Sequence, residues 1–170
     1  MSQLRIFPAI LLVAAALLLA AGVSCQSVLL NYHGIEVPEK NRVLFKSDRM
    51  EPGVWAVEHL TVQYHYYRKG PRFDITGKID FADALIRFGT MDHFDIWIHF
   101  VDSENRIIAT HNLFVFLTFY EIRTTRFERR FELPPEARGF VFSYSGRAVD
   151  NSDSDEGGGA SWDFWRRPQD

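Results

Sequence analysis

The chain has 170 residues, a formal net charge of −3, 46% hydrophobic residues and a single cysteine. This length supports one domain with a hydrophobic core, and the mild acidity argues against a nucleic-acid-binding protein, which needs a basic surface. With one cysteine, no disulfide can form within the chain.

Residues 1–24 have the three parts of a secretory signal peptide. Arg5 is the charge near the start, an apolar stretch runs from Ile10 to Val23, and small residues follow just before Cys25. The apolar stretch is shorter than the roughly 20 residues of a membrane-spanning helix. We therefore expect removal of residues 1–24, with plain secretion and an uncleaved anchor as the alternatives.

Residues 21–25, AGVSC, resemble the lipobox of bacterial lipoproteins. The resemblance implies that Cys25 receives a diacylglyceryl group and fatty acyl chains such as palmitate, and becomes the first residue of the mature protein. It further implies a lipid-anchored protein of the bacterial cell envelope. Gln26, with no aspartate after the cysteine, resembles the pattern that sorts lipoproteins to the periplasmic face of the outer membrane in hosts with two membranes.

Residues 25–53 show little regular pattern and are expected to form the lipidated N-terminus and a flexible tether. Gly34 and Pro38 break any regular element. The stretch MEPG at Met50 to Gly53 has the composition of a turn, because Pro52 presets its own φ and Gly53 accepts unusual angles.

Residues 54–149 are expected to form one β-domain, because apolar side chains recur there at every second position. The alternating runs are Leu60 to Tyr66, Phe73 to Phe81, Phe94 to Phe100, Phe127 to Leu133 and Phe140 to Tyr144. Such alternation is typical of strands with one buried face. Arg129 is an exception, since its position places a charge on the apolar side of its strand.

Turn residues separate these runs. RKGP at Arg68 to Pro71 and DSEN at Asp102 to Asn105 are compact connections typical of hairpins. PPEARG, at Pro134 to Gly139, predicts a loop before the last strand. About seven short strands at roughly 10-residue spacing indicate an all-β sandwich or small barrel.

The order of elements from Phe73 to Ser145 is similar to bacterial extracytoplasmic immunoglobulin-like domains of the FxLYD kind. The stretches that carry the resemblance are ITGKIDF, FDIWIHFVDSENRIIAT and FERRFELPPEARGFVFSYSG. The resemblance implies an immunoglobulin-like antiparallel β-sandwich of about seven strands, with flexible N- and C-terminal tails. It also implies a binding or assembly module without catalytic machinery.

Metal sites find little support in the spacing of candidate ligands. His59 and His65 are about 20 Å apart along one strand, and Asp95 and His99 about 13 Å, so a site would need partners from other strands. The acidic stretch DNSDSDEG lacks the closing glutamate of a calcium loop. We expect neither a metal nor a cofactor.

Catalysis also lacks a motif. Ser143 and Ser145 precede a glycine, but no glycine stands two residues before either serine, as a nucleophile elbow requires. We therefore predict that the chain is not an enzyme, an interpretation that a cluster of His59, Asp95 and His99 in a cleft would overturn.

Two groups of residues are candidates for binding. Arg123, Arg126 and Arg130 could contact an anionic group, although the glutamates between them favour cross-strand ion pairs. In the C-terminal tail, residues 150–170, an acidic Gly/Ser linker leads to a second group: Trp162, Phe164, Trp165, Arg166 and Arg167. Tryptophan and arginine are enriched at binding hot spots, so this segment either docks on its own domain or contacts a partner or membrane.

The sequence thus predicts a membrane-anchored envelope lipoprotein that serves as a non-catalytic accessory or adaptor module in a membrane-associated protein assembly. Its predicted partners are the membrane, through the lipid, and another envelope protein; nucleic acid is not expected. The alternative is a lipoprotein that binds a small ligand, a glycan or a lipid headgroup. A concave pocket lined by Tyr64, Trp97 or Trp55 would favour that alternative.

Overall fold

A computed structural model describes residues 32–46, 49–120, 122, 124–150 and 159–170. The strands in these residues are β1 (Val43–Leu44), β2 (Met50–Ala56), β3 (Leu60–Lys69), β4 (Arg72–Phe81), β5 (Gly89–Val101), β6 (Ile107–Phe119), β7 (Thr125–Glu132), β8 (Gly139–Asp150) and β9 (Ser161–Arg166). A single α-helical turn, α1 (Asp83–Ile86), joins β4 to β5. Within the described ranges, no helix is long and apolar enough to cross a bilayer.

The strands form two antiparallel sheets. Sheet 1 has the order β1-β8-β5-β6, with β9 also paired to β8, and sheet 2 has the order β2-β3-β4-β7. The two sheets pack around one core, which confirms the predicted antiparallel β-sandwich. Its strand order adds a detail that the sequence did not supply: β2, β3 and β4 stay in one sheet, whereas a constant-type immunoglobulin domain places its second and third strands in opposite sheets.

The core between the sheets is built largely from aromatic rings. Phe73 of sheet 2 lies 5.4 Å from Phe100 and 5.5 Å from Phe140 of sheet 1, measured between ring centroids. Ile96 and Ile98 are fully buried on the same side of β5 as Phe100. The period of two in the sequence therefore predicted the inward side of these strands correctly.

Both predicted hairpin turns are present. Lys69 pairs with Arg72 across a turn in which Gly70 has a φ of 58°, a conformation that favours glycine. The turn between β5 and β6 is held by the Asp102 carboxylate, which accepts the backbone N–H groups of Glu104 and Arg106 at 2.8 and 2.9 Å.

The predicted turn at Met50 to Gly53 is wrong, because these residues begin β2. β2 is the edge strand of sheet 2, and an edge strand accepts proline because only one of its sides must supply hydrogen bonds to the sheet. Gly53 is needed for packing: a Cβ there would lie 2.2 Å from Cζ of Tyr64.

Residues from Tyr32 to Lys46, which we expected within the tether, pack on the sandwich. Gly34 and Ile35 hydrogen-bond to the backbone of Ile107 at the start of β6, at 2.8 and 2.9 Å. β1 then pairs with the start of β8. The part of this segment that the structure describes is therefore an arm that crosses sheet 1.

Candidate interaction surface

The outer face of sheet 1 consists of the side chains that point away from the core. On β5 these are His93, Asp95, Trp97 and His99, because Phe94, Ile96 and Ile98 are buried in the core. The register aligns three rows of outward residues across the sheet: Asp163–Arg147–His93–Leu117, Trp165–Ser145–Asp95–Val115, and Ser143–Trp97–Asn112.

One half of this face, which we call the covered half, is buried beneath the N-terminal arm. His99 is fully buried there, and its two ring nitrogens hydrogen-bond to the hydroxyls of Thr110, at 2.8 Å, and Ser143, at 2.6 Å. The ring of Tyr32 meets the imidazole edge to face at 5.1 Å. Burial lowers the pKa of His99 to about 3, so the imidazole is neutral near pH 7.

A small apolar cluster completes the covered half beyond His99. Tyr32 and Ile35 of the arm pack against it, and its fully or almost fully buried members are Val37, Val101, Ile107 and Val141. This cluster lies on the opposite side of sheet 1 from the main core. It fixes the arm in place because residues of the arm pack there against residues of β5, β6 and β8.

The other half of the outer face, the open half, keeps large apolar side chains in contact with water. Leu117 is 82% exposed, Trp165 59% and Val115 50%. Val115 and Leu117 belong to β6 and Trp165 belongs to β9, so they flank the two central strands, β5 and β8. Exposed apolar groups gathered on one face indicate an interaction surface more strongly than scattered ones do.

The charged groups of the open half are largely paired with one another. Nε and Nη2 of Arg147 donate to the two carboxylate oxygens of Asp163 at 2.7 and 3.0 Å, and these bonds hold the pKa of Asp163 below its usual range. Burial raises the pKa of Asp95; the nearby His93 and a hydrogen bond from Asn112 oppose this shift. The Arg147–Asp163 pair is therefore neutral as a whole, whereas Asp95 keeps a carboxylate in the middle row.

The edge of sheet 1 at β6 is chemically different from the edges of sheet 2. Pro52 lies within β2, and three arginines lie along β7. Proline and charge are two of the features by which natural edge strands avoid pairing with other chains. From Ile107 to Tyr120 there is no proline and no charged residue. We call residues 112–119, beyond the part paired with the arm, the β6 edge.

The aromatic tail forms β9 against β8. Phe164 is almost fully buried, 6.2 Å from the ring of Phe94, and Trp162 packs on His59 and Phe88 at 5.2 and 5.8 Å. Trp165 points to the open half. Two of the three predicted aromatic contacts are thus turned toward the chain's own domain, as the intramolecular alternative expected.

The two tail arginines bond to Asp170 at the end of the same tail, Arg166 through its side chain and Arg167 through its backbone. Arg166 donates to the backbone oxygen of Asp170 at 2.7 Å, and the backbone N–H of Arg167 donates to the Asp170 carboxylate at 2.9 Å. Asn41 of the N-terminal arm donates to the same backbone oxygen at 2.6 Å. The end of the tail and the arm therefore hold each other on sheet 1.

The predicted arginine cluster is only partly assembled. Arg130 donates to Asp74 at 2.6 Å, and Arg72 binds the other oxygen of that carboxylate, so Arg130 has its own counter-ion. These bonds hold the pKa of Asp74 below its usual range. Arg126 is exposed opposite Lys78. Arg123 lies outside the described residues, as do Cys25 and most of the acidic linker.

The residues weighed for catalysis do not converge. His59 hydrogen-bonds to the Tyr144 hydroxyl at 2.7 Å beside the tail, whereas His99 lies on the other side of sheet 1. The pair that sequence reasoning missed is Ser143 and His99, which meet across 44 residues of chain. Both side chains are buried and the second imidazole nitrogen bonds to a threonine, not a carboxylate, so this pair binds the strands together. Among the described residues no group of His, Cys, Asp and Glu could hold a metal.

Tyr64, Trp97 and Trp55 do not line one pocket. Tyr64 is buried in the core, Trp55 packs on Phe142 at 5.3 Å, and Trp97 lies on the outer face of sheet 1. A shallow pocket of about 430 Å³ occurs elsewhere, between Arg87, Phe88 and Trp162.

No family model matches this chain, and a comparison with curated proteins found no match.

Proposed function

We propose that this chain is a bacterial envelope lipoprotein that acts as a non-catalytic adaptor in a membrane-associated protein assembly. In this proposal Cys25 carries the lipid and the β-sandwich presents a strand edge to a partner protein. In a host with two membranes, Gln26 favours the periplasmic face of the outer membrane.

The anchor is supported by the order of chemical features in residues 1–25. A charged start, a short apolar stretch and the AGVSC motif precede the chain's only cysteine. An unpaired cysteine in an exported chain calls for an explanation, and acylation supplies one. More than one acyl chain makes such anchoring stable.

The adaptor role is carried by one observation, the chemistry of the β6 edge. Backbone N–H and C=O groups along a terminal strand can accept an additional strand from another protein. The β6 edge has neither the proline nor the charge that would oppose such pairing, and its outward side chains include Val115 and Leu117. A partner strand would thus find both hydrogen-bonding groups and apolar contacts there.

Site-specific photo-crosslinking in native membranes tests this role. A photoreactive amino acid replaces Val115 on β6 or, as a matched control, Val54 on β2, which is also an edge valine and is 67% exposed. We expect position 115 to capture one envelope protein through one short extended segment, and position 54 to capture none. Equal capture from both positions, or no protein captured at 115, would contradict the adaptor role.

A further inference from the structure

The position of Tyr32 limits how far the sandwich can be from a lipid on Cys25. Tyr32 packs on His99 in the outer face of sheet 1. Seven residue steps separate Cys25 from Tyr32 (32 minus 25), and a fully extended chain covers at most about 3.5 Å per residue, so the tether reaches about 25 Å. A lipid on Cys25 therefore holds this face close to its bilayer.

The open half also lies close to the place where Tyr32 packs on the sandwich. Asp95 is four residues from His99 along β5, or about 13 Å at the rise of a strand. Trp165 and Val115 occupy the same row as Asp95, and Leu117 the next row. Three large exposed apolar side chains thus stand beside the point at which the chain enters the domain.

We propose that the open half of the outer face of sheet 1 rests on the bilayer that holds Cys25, an inference that depends on the proposed lipid anchor. Tryptophan is enriched at membrane–water interfaces, where its apolar ring and polar N–H both find partners. Trp165 and Leu117 enter the interfacial region, Val115 lies at its border beside the β6 edge, and Trp97 occupies the neighbouring row of the same face.

The polar groups of the open half are compatible with this contact. Arg147 and Asp163 neutralise each other, and the Asp95 carboxylate accepts a hydrogen bond from Asn112. Sheet 2, which carries Val54, lies across the core from sheet 1. With the open half on the bilayer, sheet 2 is therefore roughly 10 Å farther from the membrane than sheet 1 is. With the open half on the bilayer, the β6 edge points along the membrane plane, toward proteins embedded in the same membrane.

Tryptophan quenching by lipid tests the orientation. The acylated mature protein, residues 25–170, is reconstituted into phosphatidylcholine vesicles containing bromine-labelled acyl chains. Comparison with Trp165→Phe isolates the emission of Trp165 from that of the other tryptophans. A second variant, carrying Trp165→Phe together with Val54→Trp, moves an exposed indole to the outer face of sheet 2. We expect the emission of Trp165 to be lost in brominated vesicles and that of the indole at position 54 to be retained.

The mass of the reconstituted protein shows whether Cys25 is acylated. It therefore distinguishes a failure of the proposed lipid anchor from a failure of the proposed orientation on the bilayer. If the protein is acylated and Trp165 keeps its emission, or both indoles are quenched alike, the orientation is wrong while the anchor stands. If Trp165 keeps its emission in vesicles but is shielded when a captured partner is bound, the open half contacts protein instead. If Cys25 carries no lipid, both the anchor and this inference fail.

Discussion

At the scale of single residues, the most constrained group on the outer face is His99. Its imidazole is fully buried between two hydroxyls and the ring of Tyr32. A neutral imidazole satisfies this site, because one nitrogen can donate and the other accept. Protonation would place an uncompensated charge in an apolar surrounding, which explains why the pKa of His99 falls to about 3.

This shift predicts a pH-dependent loss of stability. The unfolded chain binds the His99 proton near pH 6.5, whereas the folded chain binds it only near pH 3. The unfolded state is therefore favoured as pH falls from about 6.5 to about 3, and His99 contributes no pH dependence above that window. At full effect the slope is about 1.4 kcal/mol per pH unit. Urea unfolding between pH 7 and pH 5 measures it.

Two substitutions make that measurement specific. His99→Gln removes the titrating group, so the pH slope should decrease even if the variant is less stable at pH 7. His65→Gln, on the exposed side of β3, is the matched control and should leave the slope unchanged. An unchanged slope in His99→Gln would show that His99 does not control this dependence; the half-buried His111, whose pKa burial also lowers, would then be the next group to test.

The residue scale also shows what a sequence can predict. The side of a strand follows from the parity of its residues, which is why the burial of Ile96 and Ile98 was foreseen. A contact between His99 and Ser143 depends on the register of β5 against β8, and register is a property of two strands. No pattern within either segment contains it.

At the scale of elements, β9 is the clearest case of a segment whose role depends on its surroundings. Gly146 of β8 lies opposite Phe164, and a Cβ at Gly146 would be 2.5 Å from Cζ of that ring. The missing side chain makes room for Phe164 to reach Phe94 and Tyr144 in the core. β9 is therefore a structural strand of the sandwich.

Paired alanine substitutions test this conclusion. Phe164→Ala should lower the free energy of unfolding by about 3 to 5 kcal/mol, as is usual for a buried phenylalanine. Trp165→Ala, one residue away and exposed, should change it by no more than about 0.5 kcal/mol. Urea unfolding of the full-length chain in mild detergent measures both. Similar, small losses in the two variants would mean that β9 is not part of the core.

Element boundaries could be predicted where the alternation of apolar and polar residues was long. The prediction was wrong where a residue type occurs both in turns and in edge strands. Proline and glycine at Pro52 and Gly53 predicted a turn, yet both are accommodated in an edge strand. Which strands form edges depends on the strand order, which local patterns do not contain. The same limitation left open whether the aromatic tail would dock on its own domain.

At the scale of the whole molecule, the arm and the tail meet on one side of sheet 1. Asn41 of the arm binds the backbone oxygens of Pro168 and Asp170, so the two chain ends stabilise a common surface. The surface beside them carries the exposed Trp165, and the β6 edge borders it. In our proposal the open half of the outer face of sheet 1 contacts the membrane, and the β6 edge contacts a partner protein beside it.

The proposal as a whole depends first on the chemistry of Cys25. The most direct test is the intact mass of the protein extracted from membranes of cells that express the full-length chain, with Cys25→Ser as the control. We predict a mature chain that begins at Cys25 and carries a diacylglyceryl group, and a Cys25→Ser variant without that modification. A membrane-extracted chain with an unmodified Cys25 would contradict the lipoprotein assignment.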